Sequence, residues 1–261
     1  MPKINVYLPD ELAEAVKEAG VPVSAVCQRA LEQAVRRVTA IRETVLSDLD
    51  LDRPTGALTH LTARTRTVLK LAADQARQSG APAVGTRHLL SGMLAEGTNL
   101  ALHVLRAMDI DPAQVRGDLA RRPPGEAGEP GPEGAVSGAA RFGTTAANAL
   151  EFAVTEATSL GHNYVGCEHL LLGLVAEPDG RAGQVLRGLG ADPRLTRRAM
   201  VAALAGYVHL RAQTQAQNPQ GAAELPPGAA ELLAAAVRDQ LQPLLQRLDR
   251  LEARAGITPD A

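Results

Sequence analysis

The sequence predicts a mainly α-helical fold. A short strand and two helices come first, then two pseudo-symmetric copies of a four-helix unit, then a C-terminal helix or short coiled coil. Three observations predict it. The chain repeats itself: residues 85–92 align with residues 166–173 at an offset of 81 (His88 onto His169), without a gap in either direction. Upstream the offset pairs Leu69 with Leu150 and Gly80 with Gly161, and downstream Leu105 with Leu186 and Pro112 with Pro193. A fixed period marks two copies of one supersecondary unit, each too small to bury its apolar face alone. Apolar residues inside each copy recur at helical spacing, as Val68, Leu71 and Ala72 do in the first copy and Leu150, Ala153 and Ala157 in the second. Aromatic residues make up only 2% of the chain, so Leu, Val and Ala must form the core, which favours close helix–helix contact.

Residues 3–8 alternate strictly, with Ile4, Val6 and Leu8 on one face and Lys3, Asn5 and Tyr7 on the other, the pattern of a half-buried strand. Pro9-Asp10-Glu11 opens a helix with acidic residues at its positive end, and Gly20 ends it. Ser24 is the expected N-cap of a second helix through about Val38, with Val26, Leu31, Val35 and Val38 on its apolar stripe. A helical extension follows, then a break at Pro54-Thr55-Gly56.

In each copy a long first helix ends at glycine and a second helix starts at Thr86 or Cys167. Two shorter helices follow. The expected boundaries are 1–45 for the strand and two helices, 46–60 for a linker, 61–122 for the first copy and 123–139 for a Pro/Gly linker. The second copy is placed at 140–207, a further linker at 208–228 and the final helix at 229–255. That helix carries a 4-3-4-3 apolar repeat from Ala230 to Leu251, interrupted by Pro243. Two readings stand for it, an intermolecular coiled coil or a helix docked on its own chain.

The formal net charge of −2 gives no general attraction for nucleic acid, and only three lysines are present. Cys27 and Cys167 sit in unrelated segments, which fits reduced thiols in a cytoplasmic protein. No signal pattern and no membrane-spanning apolar run is seen, so no membrane partner is expected. No G-x-x-x-x-G-K-[ST] loop occurs, which argues against ATP hydrolysis, and no catalytic triad or metal-ligand spacing is present. No enzyme activity, metal or cofactor is therefore expected. His88 and His169 occupy equivalent positions in a first helical turn, where a structural role outweighs a metal one. Cys167 opens a helix, where a lowered pKa for redox sensing and a small buried cap are both open readings.

A lone strand needs a partner strand, and the nearest identical one lies on a second chain. Residues 3–38, with LPDEL at the first helix and GVPVSAVCQRALEQAV at the second, resemble the ribbon-helix-helix family of bacterial repressors and antitoxins. The resemblance implies a homodimer whose outward strand residues, here Lys3, Asn5 and Tyr7, read operator DNA, while amides at Ser24 hold a phosphate. Over residues 1–40 five basic side chains face five acidic ones, so the ribbon serving only to dimerise stays open as a second reading.

The run GHNYVGCEHLLLGL at 161–174 and its counterpart resemble the Clp N-terminal (Clp repeat) domain of ClpC- and ClpA-type unfoldases. The resemblance implies an all-α docking module for protein adaptors, phosphoarginine tags and cyclic peptide antibiotics. The family's phosphoarginine sites use a Glu and a Thr. The first copy keeps Thr62 but has Arg87 in place of the Glu, and the second keeps Glu168 but has Gly143 in place of the Thr. Neither site is complete, so phosphoarginine reading is not expected, and Arg87 would repel a guanidinium ligand. The family's peptide patch maps onto Leu61, Phe142 and Glu151, with Glu168 as the further ligand contact. Phe142 either anchors a ligand or caps the core of the second copy.

The expected function is a non-enzymatic DNA-binding regulator. Its repeats would bind peptides, damaged proteins or cyclic peptides, with an autoregulatory part in protein stress. The alternative is a stand-alone decoy or adaptor of the ClpC protease system, in contact with Clp components, with the ribbon used only for dimerisation.

Overall fold

A computed structural model describes residues 7–46, 56–121, 141–217 and Gln242. Among them are ten α-helices and one 3-10 helix, and no strand. The expected strand falls mostly on residues 3–6, outside the described residues, as do the Pro/Gly linker and the apolar repeat of the final helix. Helices α1 (Asp10–Glu18) and α2 (Val23–Leu46) form the N-terminal block, and a 3-10 turn, Gly56–His60, leads to the first copy.

The first copy consists of α3 (Ala63–Gln78), α4 (Thr86–Glu96), α5 (Leu100–Ala107) and α6 (Pro112–Arg121). The second consists of α7 (Thr144–Ser159), α8 (Cys167–Ala176), α9 (Arg181–Gly188) and α10 (Pro193–Gln217). Each helix of the second copy starts 81 residues after its counterpart, as from Ala63 to Thr144 and from Pro112 to Pro193. Local chemistry sets these starts. Thr62 accepts the Thr65 N–H and Asn99 the Leu102 N–H, each satisfying one orphan donor of a first turn. Pro112 and Pro193 occupy first helical positions, where the missing N–H costs nothing. Gly80 and Gly161 end α3 and α7 with φ of 65° and 74°, a conformation that a side chain would strain.

One hydrophobic core runs through both copies. Leu89, Leu90 and Met93 of α4 and Leu170, Leu171 and Leu174 of α8 are fully buried at its centre. Helix α8 is buried from Cys167 to Val175 without a solvent face, the pattern of a helix enclosed on all sides. Helix α3 lies on α4 and α7 on α8, and both crossings use a glycine. A Cβ on Gly92 would stand 2.5 Å from the Val68 carbonyl oxygen and 3.0 Å from the Ala72 nitrogen. At Gly173 it would collide with the Ala149 carbonyl oxygen and stand 2.8 Å from the Ala153 nitrogen. Backbone meets backbone at both places, so no rotamer change can make room.

The N-terminal block behaves differently. Helix α1 has no buried residue, and Leu31 and Val35 of α2 are 53% and 64% exposed. The stripe read from Val26 to Val38 is therefore open in the single chain until Val38, which is partly buried against the core. One turn further on, Ile41 is only 1% exposed, and the second half of α2 lies along α7.

Replacing Gly173 with Ala is expected to lower unfolding free energy by about 1–3 kcal/mol through overpacking. Gly117→Ala, at an open position within α6, is expected to raise it by about 0.5–1 kcal/mol. Urea unfolding midpoints check both signs.

Candidate ligand-docking site

The two copies join through the short segments that precede their helices. Thr62 N–H donates to the Val165 carbonyl at 3.0 Å, and Val165 N–H to the His60 carbonyl at 2.8 Å. The second set repeats this with the copies exchanged: Gly143 N–H donates to the Val84 carbonyl at 3.0 Å and Val84 N–H to the Arg141 carbonyl at 2.8 Å. Leu61 pairs with Val165 and Phe142 with Val84 as isolated parallel bridges. The start of each copy's first helix is thus tied to the start of the other copy's second helix.

By this crossing Thr62 is bonded to the entry segment of the other copy's second helix rather than to its own copy's α4. Thr62 sits beside the start of α8, where Glu168 lies in the first turn. One turn along, the Thr65 hydroxyl bonds the Val165 carbonyl at 3.1 Å and approaches the Cys167 sulfur at 3.7 Å. One corner between the copies therefore carries both Thr62 and Glu168, and the other carries Gly143 and Arg87. Glu168 is 9% exposed, and burial raises its carboxyl pKa against the hydrogen bond from its own N–H. Its carboxylate folds back over Gly166, so a Cβ there would force the Glu168 side chain to move. A cationic group arriving at this corner would meet a carboxylate already stripped of water, where charge pairing is strongest.

The two equivalent histidines have a structural task. His88 Nδ1 accepts the Gly85 N–H at 3.0 Å, and His169 Nδ1 accepts the Gly166 N–H at 2.9 Å. Each ring closes the first turn from the third helical position, the place a Glu fills in a capping box. His169 reaches further, with Nε2 at 2.8 Å from His162 Nδ1. His162 stacks on Tyr164 with ring centres 5.0 Å apart. The first copy has Ala81 and Ala83 at these positions. Burial, then the neighbouring His162, lowers the His169 pKa to about 4. Glu168 Oε1 lies 3.6 Å from His169 Nδ1, but that nitrogen already accepts an N–H, so the neutral ring is the form the cap requires. Among the described residues no group of three or more His, Cys, Asp or Glu side chains could hold a metal ion.

Cys167 is buried and its thiol pKa is pushed up to about 12, first by burial, so the buried-cap reading describes it and the low-pKa one does not. Cys27 is half-buried.

The remaining expected residues separate. Leu61 and Phe142 are 3% and 4% exposed, held in the crossed segments, so Phe142 caps the core rather than standing out as an anchor. The exposed phenylalanine is Phe152 on α7, beside Glu151. Glu151 accepts from Arg42 of α2 at 2.8 Å, and Asn148 accepts from the same guanidinium nitrogen at 3.1 Å. Part of the α7 face expected to meet a ligand is thus covered by the chain's own helix. Continued i, i+3 spacing through Val35, Val38 and Ile41 was the sequence signal for that contact. Lys3 and Asn5 lie outside the described residues. Tyr7 is 92% exposed. Ser24 is exposed in the first turn of α2, which starts one residue earlier with Val26 N–H bonded to the Pro22 carbonyl, so Ser24 is not its N-cap.

Comparison with known proteins bears on the repeats. The Clp repeat (R) N-terminal domain family matches residues 60–140 and 141–249. The chain is 35% identical over 171 residues to the ATP-dependent Clp protease ATP-binding subunit ClpA homolog CD4B of Solanum lycopersicum, covering 63% of this chain and 18% of that protein. It is 41% identical over 126 residues to chaperone protein ClpC1 of Arabidopsis thaliana, covering 48% of this chain and 13% of that one. Both relatives are described as chloroplastic. The chain therefore spans less than a fifth of the length of these relatives. The crystal structure of the N-terminal domain of the caseinolytic protease associated chaperone ClpD of Arabidopsis thaliana is 26% identical, with a TM-score of 0.45 over 56% of this chain and 96% of that one. Among the described residues no helix is long and apolar enough to cross a membrane.

His169 gives a pH signature. Its folded pKa lies below the ordinary value of 6.5, so the unfolded chain takes up a proton first as pH falls. Its contribution is complete above about pH 6.5 and is lost toward pH 4, on the order of 3 kcal/mol. Urea unfolding at pH 7.0 and 4.5 is expected to show a smaller loss on acidification for His169→Gln than for wild type, although the variant starts less stable.

Proposed function

The chain belongs to the Clp repeat (R) N-terminal domain family, and on that footing we propose that it is a non-enzymatic docking module of the Clp protease system that captures peptides or protein clients. The observation that carries this reading is the crossed pairing, which leaves Thr62 and Glu168 together at one corner. Thr62 is the N-cap of α3, where a phosphate would meet the remaining first-turn N–H groups at the positive helix end, and Glu168 would accept guanidinium N–H donors. The ligand proposed for this corner is a phosphoarginine side chain on a client. The opposite corner, with Arg87 and Gly143, repels the guanidinium side of the same ligand. The face of α7 around Glu151 and Phe152 is proposed as a second contact for peptides or cyclic peptides, with Arg42 as its competitor. The compartment proposed is the cytoplasm, where two unpaired thiols persist.

Isothermal titration of the full chain with phosphoarginine tests the corner. One site per chain is expected, with Glu168→Ala weakening binding by tenfold or more, about the effect of a lost charged hydrogen bond. Arg87→Ala is expected to leave it unchanged. Absence of binding by wild type, or control of the affinity by Arg87 instead, contradicts the assignment.

A second element of the reading concerns the N-terminal block, which the family match does not reach. The exposed apolar face of α1 and of the first half of α2 supports pairing with a second copy of the chain. In this reading the block dimerises the docking modules, and operator contact through Lys3, Asn5 and Tyr7 is its regulatory extension. Sedimentation of wild type should give a dimer and Leu31→Asp/Val35→Asp a monomer. Mobility shift with upstream DNA then separates dimerisation alone from regulation.

A further inference from the structure

Between the second half of α2 and the second copy lies a groove of about 260 Å³. Its buried apolar residues are Ile41, Val154, Ala157 and Val165, with half-buried Ala40 beside them. Arg36, Arg37 and His162 line it as well, and no carboxylate does. Neither arginine has an ion-pair partner among the described residues. Two guanidinium groups with no ion-pair partner among the described residues, beside an apolar surface, form half of an interaction.

The imidazole adds a fixed donor. His169 Nδ1 is occupied as an acceptor by the Gly166 N–H, so its proton lies on Nε2 and is donated to His162 Nδ1 at 2.8 Å. With Nδ1 accepting, Nε2 is the nitrogen through which His162 can donate. Stacking on Tyr164, with planes 8° apart, holds the ring in place. The second copy alone has this chain of rings, since Ala81 and Ala83 replace them in the first. Arg36, Arg37 and Ile41 precede residue 60, where the family match begins, so the groove is built by joining this chain's own extension to a repeat.

We propose that this groove binds the free C-terminus of a peptide ending in an apolar residue. The carboxylate pairs with Arg36, Arg37 and the His162 Nε2–H, and the last side chain covers Ile41 and Val154. Charge-assisted bonds of this kind are the strong ones, and carboxylate capture is a recurring mode of peptide recognition. The volume lies below the roughly 300–1,000 Å³ of ordinary small-molecule sites, which suits the end of a chain rather than a whole helix. The site is distinct from the Thr62–Glu168 corner, so either can fail without the other.

The test is titration of the full chain with an alanine-rich hexapeptide ending in Leu as the free acid, the same peptide amidated, and an amidated version with an internal Glu. The free acid should bind saturably and shift the His162 imidazole resonances. Both amides should bind at least about tenfold more weakly, as should the free acid to Arg36→Ala/Arg37→Ala. Equal binding of acid and amide, or of the internal-Glu peptide, overturns the assignment. So does full affinity in the double variant, or no saturable binding of the free acid up to millimolar concentration. The resonance shift in wild type requires no variant, so an unfolded double variant leaves the test intact.

Discussion

Four main-chain hydrogen bonds that cross between the copies govern this architecture. Each copy's first helix is entered from a segment bonded to the other copy, through Val165 on one side and Val84 on the other. These bonds satisfy backbone groups that burial of Leu61 and Phe142 would otherwise leave without partners, which is costly in a dry core. They also decide which residues share a corner. Without the crossing, Thr62 would have only its own copy's Arg87 for company. With it, Thr62 lies beside Glu168, and the functional unit is the pair of copies rather than either one.

The pair is symmetric in backbone and asymmetric in chemistry. Every helix start keeps the offset, and Gly92 and Gly173 keep the same close crossings. Side chains have diverged where symmetry does not demand them. The caps Thr62 and Asn99 become Gly143 and Gly180, an exchange that costs only a few tenths of a kcal/mol each. At Gly180 the Glu177 Oε2 takes the N–H directly, whereas in the first copy Glu96 Oε2 bonds the Asn99 amide. Asp109 holds a positive φ of 59° where the second copy has Gly190. The ring chain of His169, His162 and Tyr164 exists on one side only. Conserving the glycine crossings and the straps therefore leaves each corner free to take on a different chemistry.

Much of this was legible in the sequence. The 81-residue offset predicts the helix starts because caps, glycines and first-turn prolines act locally, and local chemistry survives duplication. The paired histidines were legible as structural from their place in a first turn. The crossing was not legible, because Thr62 and Arg87 belong to one repeat in sequence and only main-chain pairing over about a hundred residues separates them. Phe142 stayed open between anchor and core cap for the same reason, because only the pairing of its segment with Val84 decides between them. Helix α2 changes character along its length, with Leu31 and Val35 open and Ile41 closed, and only its lie along α7 reveals where the change occurs. The ribbon expected ahead of α1 lies mostly outside the described residues.

Helix α2 links the N-terminal block to the repeats, and Arg42 gives that link a specific partner in Glu151. That pair is partly exposed and so contributes little by itself, while Ile41 supplies the apolar anchor. The claim that organises the whole account is still the crossing of the two copies. Thr65 approaches Cys167 at 3.7 Å only because the copies exchange their entry segments. Mild oxidation of Thr65→Cys in a Cys27→Ser background measures this directly. The account predicts a disulfide within one chain, loss of both titratable thiols and faster migration on a non-reducing gel. Two thiols that stay reactive under native conditions, or a disulfide formed only between chains, would contradict it.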